Sequence, residues 1–428
     1  MQAGPTSQRQ ADRIVITGIG LIASVGTDRE SVWRAVRRGQ SGVRSLSGLA
    51  GYPDGLSIGA PVEISGERLG QLKPIVLCQH AAAEALDDAR IDFSRVDLDR
   101  FGCAVSGHMG DTNGLEPIAV RDRLAADGVV PWWSQWLPNT ACSEVANRYR
   151  LGGPRLCHST ACASGLIEIL SAARSIYDGQ CDLALAGSAE AIHPLFAAGF
   201  QAMRVLAHHE DPSQACRPFD RRRSGFVMGE GSAMFVIERL SHAQDRRAGI
   251  YAEIVAGKMQ AEAHHLTGLD SASDVLTYLI KATLNSARLQ PADVGYINAH
   301  GTGTQQNDVA ETRGIRKAMG QAADRICVSS TKSMLGHLVN AAGSVELAIT
   351  ALALRDGFAP PTVNLTDPDP ECDLDCIPLV GRWSQFEHAL KLSVAFGGHM
   401  AALILRRWKD AKSDQDTGHW ESPDRIAA

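Results

Sequence analysis

Three segments of the 428-residue chain set reactive side chains beside runs of small residues. Residues 153–165 read GPRLCHSTACASG, with Cys162 at the apex of the small-residue run. Leu166, Ile167, Ile169, Leu170, Ala173 and Ile176 then follow helical spacing. Backbone N–H groups at a helix start stabilise a thiolate and can also bind a developing oxyanion. An inert buried thiol is the commoner fate of a free cysteine, so Cys162 alone decides little. Two histidines change the balance. Residues 296–300 (YINAH) read as a strand ending in His300, followed at once by GTGT. Residues 332–337 (KSMLGH) follow another strand, and His337 opens an apolar stretch expected to be helical from 338 to 354. A cysteine and two histidines thus each stand where a strand gives way to a loop or helix. In an α/β sheet such ends gather into one crevice, which points to covalent catalysis by an activated thiolate.

Other combinations carry less. Gly18, Gly20 and Ala23 follow a strand in a dinucleotide-like pattern, yet the acidic residue required about 20 positions on is missing; Arg37-Arg38-Gly39-Gln40 stands there. Cys142, Cys157, His158 and Cys162 crowd together without the spacing of a zinc site, so no metal is expected. Cys372-Asp373-Leu374-Asp375-Cys376 reads as a solvated acidic turn.

The elements that must position these residues are those of an α/β protein. Residues 13–20, 101–107 and 182–187 read as short apolar strands linked to amphipathic helices, and a second series begins near residue 250. The expected sheet is largely parallel, in two similar halves, 13–250 with the cysteine and 251–408 with the histidines. Residues 1–12 and 409–428 read as flexible polar tails. A net charge of -6, with Lys+Arg 42 against Asp+Glu 48, gives no basic surplus for nucleic acid or an anionic membrane. No apolar run reaches a membrane span, residues 1–11 do not resemble a signal peptide, and ten cysteines are too sparse for a disulfide scaffold. A cytoplasmic protein with reduced thiols is expected.

With these segments in view, the chain resembles the β-ketoacyl-acyl carrier protein synthases, condensing enzymes of fatty-acid and polyketide assembly. The resemblance runs from Arg13 to about Arg407 and rests on STACASG, NAHGTGT, KSMLGHLVNAAG and Phe396-Gly397-Gly398, with support from residues 217–231 and 364–378. It implies a thiolase-like fold of five αβαβα layers and a homodimer. It also implies decarboxylative condensation of an acyl thioester with a malonyl carrier, with Cys162 as nucleophile and His300 and His337 as enolate donors. Lys332 and Glu346 would be the supporting ion pair, and the amides of Cys162 and Phe396 the oxyanion site, with Phe396 and Gly397 forming the gate. Thr302 and Thr304 would bind the pantetheine arm, Phe200 and His108 would line the acyl pocket, and Arg204 and Arg68 would dock the acyl carrier protein. No cofactor is implied, since the phosphopantetheine arrives on the carrier. Two other readings within the resemblance are a non-elongating chain-length partner, which lacks the cysteine, and a thiolase, which pairs one histidine with a second cysteine.

The chain departs from the family pattern at three places. Ala395 replaces the glycine before the gate, so any positive φ there becomes costly. Asp127-Gly128 stand where a basic pair often helps dock the carrier, which favours a dedicated carrier. His108 replaces a residue commonly apolar at the deep end of the acyl pocket.

Overall fold

The structure, a computed structural model, describes residues 13–47, 56–64, 71–108, 134–135 and 137–409. In chain order its main elements are β1 (Ile14–Ala23), α1 (Lys73–Asp88), β2 (Phe101–Gly107), α2 (Thr140–Tyr149), β3 (Arg155–Leu156), α3 (Ser164–Tyr177), β4 (Leu183–Glu190), α4 (Pro194–Ala202) and β5 (Gly231–Arg239). Then follow β6 (Ala252–Ala261), α5 (Asp274–Ala287), β7 (Val294–Asn298), α6 (Gln305–Met319), β8 (Cys327–Ser329), α7 (Lys332–Leu335), α8 (Ala342–Asp356), β9 (His388–Val394) and β10 (His399–Arg407). The stretches expected as tails fall outside the described residues, apart from Lys409.

The strands form one ten-stranded sheet whose two series repeat the same order, β1-β5-β4-β2-β3 and β6-β10-β9-β7-β8. In each series the joints nearest the middle are antiparallel. The outer joints are parallel. The series meet where Ile14, Val15 and Ile16 of β1 pair antiparallel with β6. The sheet is therefore mixed, not largely parallel as the alternation of elements suggested. A parallel joint needs a long crossover, and the short link from β9 to β10 can only turn the chain back.

Helix α8 is buried on every side from Ala342 to Leu354, and α3 is nearly so. Helices apolar all round belong inside, and these two form the middle layer between the two strand series. Helices α1 and α2 cover one outer face, and α5 and α6 the other, completing five layers. Each leucine or isoleucine fully buried in α8 stabilises this packing by about 1.5–3 kcal/mol. The glycines of the dinucleotide-like pattern serve the same packing. A Cβ on Gly18 would lie 2.2 Å from the Ala85 carbonyl oxygen, and one on Gly20 1.8 Å from that of Ala81, so α1 lies against β1 only if both are glycine. Among the described residues no helix is long and apolar enough to cross a membrane.

Candidate active site

Cys162 occupies a single 3-10 turn, Ala161–Ala163, between β3 and α3. Ala161 before it takes φ 47°, a left-handed conformation that an alanine adopts only under restraint. The Ser164 hydroxyl fixes the turn, donating to the Ala161 carbonyl at 2.8 Å and accepting the Thr160 N–H at 2.9 Å. The sulfur is buried, and burial pushes its thiol up to about 12 despite the opposing charge of Lys332. This corrects the expectation of a depressed pKa at a helix start. Desolvation outweighs the amides in the resting state, so the thiolate must form as the reaction proceeds.

His337 Nε2 lies 3.1 Å from Cys162 Sγ, and the Val339 N–H donates to His337 Nδ1 at 3.2 Å. A neutral ring that accepts at Nδ1 carries its proton on Nε2, so a fixed N–H faces the sulfur. Val339 itself is held at φ 37°, an outlier for a β-branched residue. The long helix expected from 338 begins only at Ala342, after a 3-10 turn at Val339–Ala341. Burial first, then the Lys332 and Lys391 charges, hold His337 well below the ordinary histidine value. Its neutrality therefore owes little to a helix dipole.

His300, just beyond β7, has its ring centroid 5.3 Å from that of His337, nearly perpendicular to it. The Lys332 ammonium lies 3.4 Å from His300 Nδ1 and leaves Nε2 as the protonated nitrogen. Burial, followed by Lys332, keeps this ring neutral as well. The donor atoms of Cys162, His300 and His337 lie within 4.8 Å of one another, close enough to surround a metal ion. With a proton on each Nε2, the two rings present donors instead of the lone pairs a metal needs.

Glu346 on α8 holds Lys332 at 2.6 Å by one carboxylate oxygen and Lys391 of β9 at 2.7 Å by the other. Sequence reasoning missed Lys391. The signal available was a lone lysine in the apolar strand residues 389–395, ALKLSVA. It also missed Glu311 of α6, whose carboxylate accepts the N–H groups of His300 at 2.6 Å and Gly301 at 2.7 Å and so fixes the loop.

Phe396 lies against Phe200 with ring centroids 6.3 Å apart. Ala395 is extended, at φ -141°, so the feared cost of replacing glycine there does not arise. The left-handed positions are Gly397 and Gly398, at φ 81° and 77°, and both remained glycine. A cavity of about 260 Å³ opens over the sulfur, with Phe200, Arg204, Thr302, Thr304 and Phe396 in its walls. The hydroxyls of Thr302 and Thr304 stand 2.8 Å apart in that wall. Arg204 is exposed near the opening, whereas Arg68 and Asp127-Gly128 lie outside the described residues.

His108 borders a second cavity of about 290 Å³, with His158, His193, Phe196 and Asn340. Its Nδ1 lies 2.8 Å from Glu190 Oε2, an oxygen that also accepts the Asn340 N–H at 3.0 Å. Burial opposes charge on His108, but the carboxylate wins and raises its pKa. Phe196 and Phe200 lie one turn apart on α4 and each borders one cavity, so the two cavities flank the same helix.

The remaining candidates disperse. Cys142 packs against Cys103 with sulfurs 3.7 Å apart, Cys157 faces the Pro138 carbonyl and His158 pairs with Glu168. Cys372 and Cys376 are buried with Leu374 in the apolar core of the second strand series, while Asp373 points outward. The solvated acidic turn expected there is therefore half core.

The arrangement is a thiol faced by neutral N–H donors beneath an apolar cavity, which suits acyl transfer and stabilisation of an enolate. Comparison with known proteins gives the same answer. The family model for the β-ketoacyl synthase N-terminal domain matches residues 62–243, and that for the C-terminal domain matches residues 251–366. The tetracenomycin polyketide synthase ketoacyl synthase alpha subunit of Streptomyces glaucescens is 38% identical, over 94% of this chain and 98% of its own. The 3-oxoacyl-[acyl-carrier-protein] synthase 2 of Coxiella burnetii is 37% identical, over 92% of this chain and 98% of its own. A type II polyketide ketosynthase solved with its acyl-carrier protein and bound to a hexaketide superposes with a TM-score of 0.84, at 31% identity over 93% of this chain and 99% of that one. A β-ketoacyl synthase from Burkholderia phymatum gives a TM-score of 0.82, at 30% identity over 93% of this chain and 100% of that one. With both halves of the family model matched and these relatives aligned almost end to end, the chain belongs to the β-ketoacyl synthase family.

Proposed function

We propose that the chain elongates acyl groups by decarboxylative condensation, with Cys162 as nucleophile and His300 and His337 as the donors that bind the enolate. The carrying observation is the pair of buried rings beside the sulfur, with His337 Nε2 3.1 Å from Sγ, the Val339 N–H on His337 Nδ1 and the Lys332 ammonium at His300 Nδ1, a pattern that leaves both Nε2 atoms as donors. In the first step Cys162 attacks the acyl-carrier thioester carbonyl. The amides of Cys162 and Phe396 hold the oxyanion, and the carrier thiol departs with the proton the cysteine gives up. The malonyl thioester then binds with its carbonyl oxygen toward both Nε2–H groups. Loss of carbon dioxide puts the C–C electron pair into an enolate on that oxygen. Carbon attacks the acyl-cysteine, and collapse of the tetrahedral centre returns the cysteine sulfur and frees the extended β-ketoacyl-carrier. Neutral donors suit this step, because an imidazolium would protonate the enolate before it attacked.

The carrier's phosphopantetheine arm reaches the sulfur through the first cavity, past Thr302 and Thr304, with Arg204 at the docking face. No cofactor of the enzyme's own is needed. The matching strand orders support a division into halves at 13–250 and 251–408, and we assign a homodimer in the cytoplasm. The second cavity is read as the distal acyl pocket, where the His108–Glu190 pair shortens the usable length or selects a chain with a polar or unsaturated end. Intact-protein mass spectrometry after exposure to a panel of acyl-carriers tests the reading. A mass gain on Cys162 followed by its loss with malonyl-carrier is expected; a chain that never acylates at Cys162 overturns it.

A further inference from the structure

Lys391 is a fully buried charge to which the chemistry above gives no task. It lies on β9 between Leu390 and Leu392, with Nζ 2.7 Å from Glu346 Oε2 and 3.5 Å from the Ala299 carbonyl. The same Nζ donates to the Leu392 carbonyl. The other oxygen of Glu346 takes Lys332, and Lys332 in turn reaches both Nδ1 and the carbonyl of His300. Two lysines therefore share one carboxylate. A buried Lys–Glu pair is neutral and leaves its surroundings little field, whereas the triad of Lys332, Lys391 and Glu346 carries one surplus positive charge behind the histidines, faced from α6 by Glu311. Burying an extra charge without purpose is costly.

Resting on the condensing reading of the site, we propose that Lys391 is a positioning residue: its ammonium holds the second oxygen of Glu346 and leaves the charge of Lys332 free to act on His300 and His337. The groups facing it are Glu346 on α8, Lys332 on α7 and Glu311 on α6, and its field reaches His300 and His337 across the site. Burial draws Lys391 down to about 8, against the attraction of Glu346. Its charge is among the causes that keep both rings below the ordinary histidine value. Below that pH the triad is cationic and the rings stay neutral donors well into acid. Without Lys391 they accept protons more readily and cease to serve the enolate.

The test measures carbon dioxide release from malonyl-pantetheine between about pH 5 and 8, for the unchanged protein and Lys391→Met, which keeps the aliphatic stem. The acid limb of the variant should move upward by about one pH unit, the scale of one nearby charge at an effective dielectric of 20. A merely structural lysine would lower the rate at every pH and leave the limb in place, and that result overturns the inference. Lys391→Ala guards against a misfolded methionine variant. Ethylammonium chloride should raise its rate at least about threefold over the same concentration of sodium chloride, by filling the vacated space among the Glu346, Ala299 and Leu392 oxygens; equal rates in the two salts also overturn it. If the unchanged protein releases no carbon dioxide at all, the condensing reading falls and takes this inference with it. Normal release with coincident acid limbs removes only the role of Lys391.

Discussion

The turn that carries Cys162 has a counterpart in the second strand series, and the two hold different things. In each series the chain leaves the edge strand, β3 or β8, and later makes a 3-10 turn that leads into a central helix, α3 or α8. The first residue of each turn is strained in the same way, Ala161 at φ 47° and Val339 at φ 37°. The sequences then run in step: Cys162 with Asn340, Ala163 with Ala341, Gly165 with Gly343, Glu168 with Glu346. Cys162 faces His337, whereas Asn340 turns its side-chain amide to the Ala189 carbonyl at 3.2 Å. Glu168 binds the partly exposed His158, while Glu346 lies between two buried lysines. One backbone device thus serves as the nucleophile's mount in one place and as scaffold for its electrostatics in the other. The backbone sets position; side chain and burial set the chemistry.

Removing the thiol should have the largest effect. Cys162→Gln should reduce chain extension by roughly 10⁴-fold or more, the scale for losing a nucleophile. Decarboxylation of malonyl-carrier should persist or rise, because the histidine donors remain and the amide can stand in for an acyl group. Extension and carbon dioxide release assayed side by side check this, and undiminished extension would make Cys162 a scaffold residue like Asn340. The next largest effect belongs to the donor beside the second turn. His337→Ala should slow decarboxylation by about 100-fold, with acylation of Cys162 affected less. A variant that decarboxylates normally would make His337 structural.

How much of this could be read beforehand follows from the same contrast. The role of Lys332 came with the resemblance, while Cys162, His300 and His337 stand in short local patterns after strands, so type and position were legible together. Lys391 was not, because a lysine among apolar strand residues ordinarily marks a solvent-facing position. Both faces of β9 are covered here, and every residue from Ala389 to Val394 is buried. The donor role of His337 followed from the resemblance, but what keeps its ring neutral did not. The expected helix from 338 is absent, and burial and Lys332 do the work through a broken segment that only tertiary packing explains. The mixed sheet escaped for a similar reason, since the direction of a joint depends on links whose path the alternation of elements does not encode.

A smaller effect separates the matching acids. Glu346→Gln strands two buried ammonium groups and should destabilise the protein by about 3–5 kcal/mol, measured by denaturant unfolding. Glu168→Gln leaves only a partly exposed histidine without its charge partner and should cost about 1 kcal/mol. The pH dependence distinguishes them too. The hydrogen bond to Glu168 raises His158 above its ordinary value of about 6.5. A raised folded-state value stabilises below the unfolded value and fades as pH climbs through the folded one. Stability should therefore fall as pH rises from about 6.5, and Glu168→Gln should reduce that slope. Equal costs for the two variants would erase the distinction between mount and scaffold.

The smallest effect concerns the cavity beyond Asn340. On the proposed reading, His108 occupies space that the distal end of an acyl chain would otherwise take. His108→Ala should let longer chains load onto Cys162, each further buried methylene adding about 0.8 kcal/mol, or roughly fourfold in relative loading. The substitution has a second consequence that must be kept apart from the first. Glu190 would keep the Asn340 N–H but lose its contact with the His108 ring, and its carboxylate already acts to raise the Cys162 thiol. An uncompensated Glu190 would make the thiolate harder to form and slow acylation by every chain alike. The ratio of loading rates between long and short acyl-carriers cancels that common factor and reports the cavity alone. A ratio that rises with chain length assigns His108 to the pocket. If all rates fall together and the ratios match those of the unchanged protein, His108 serves Glu190, and the chain length is set elsewhere.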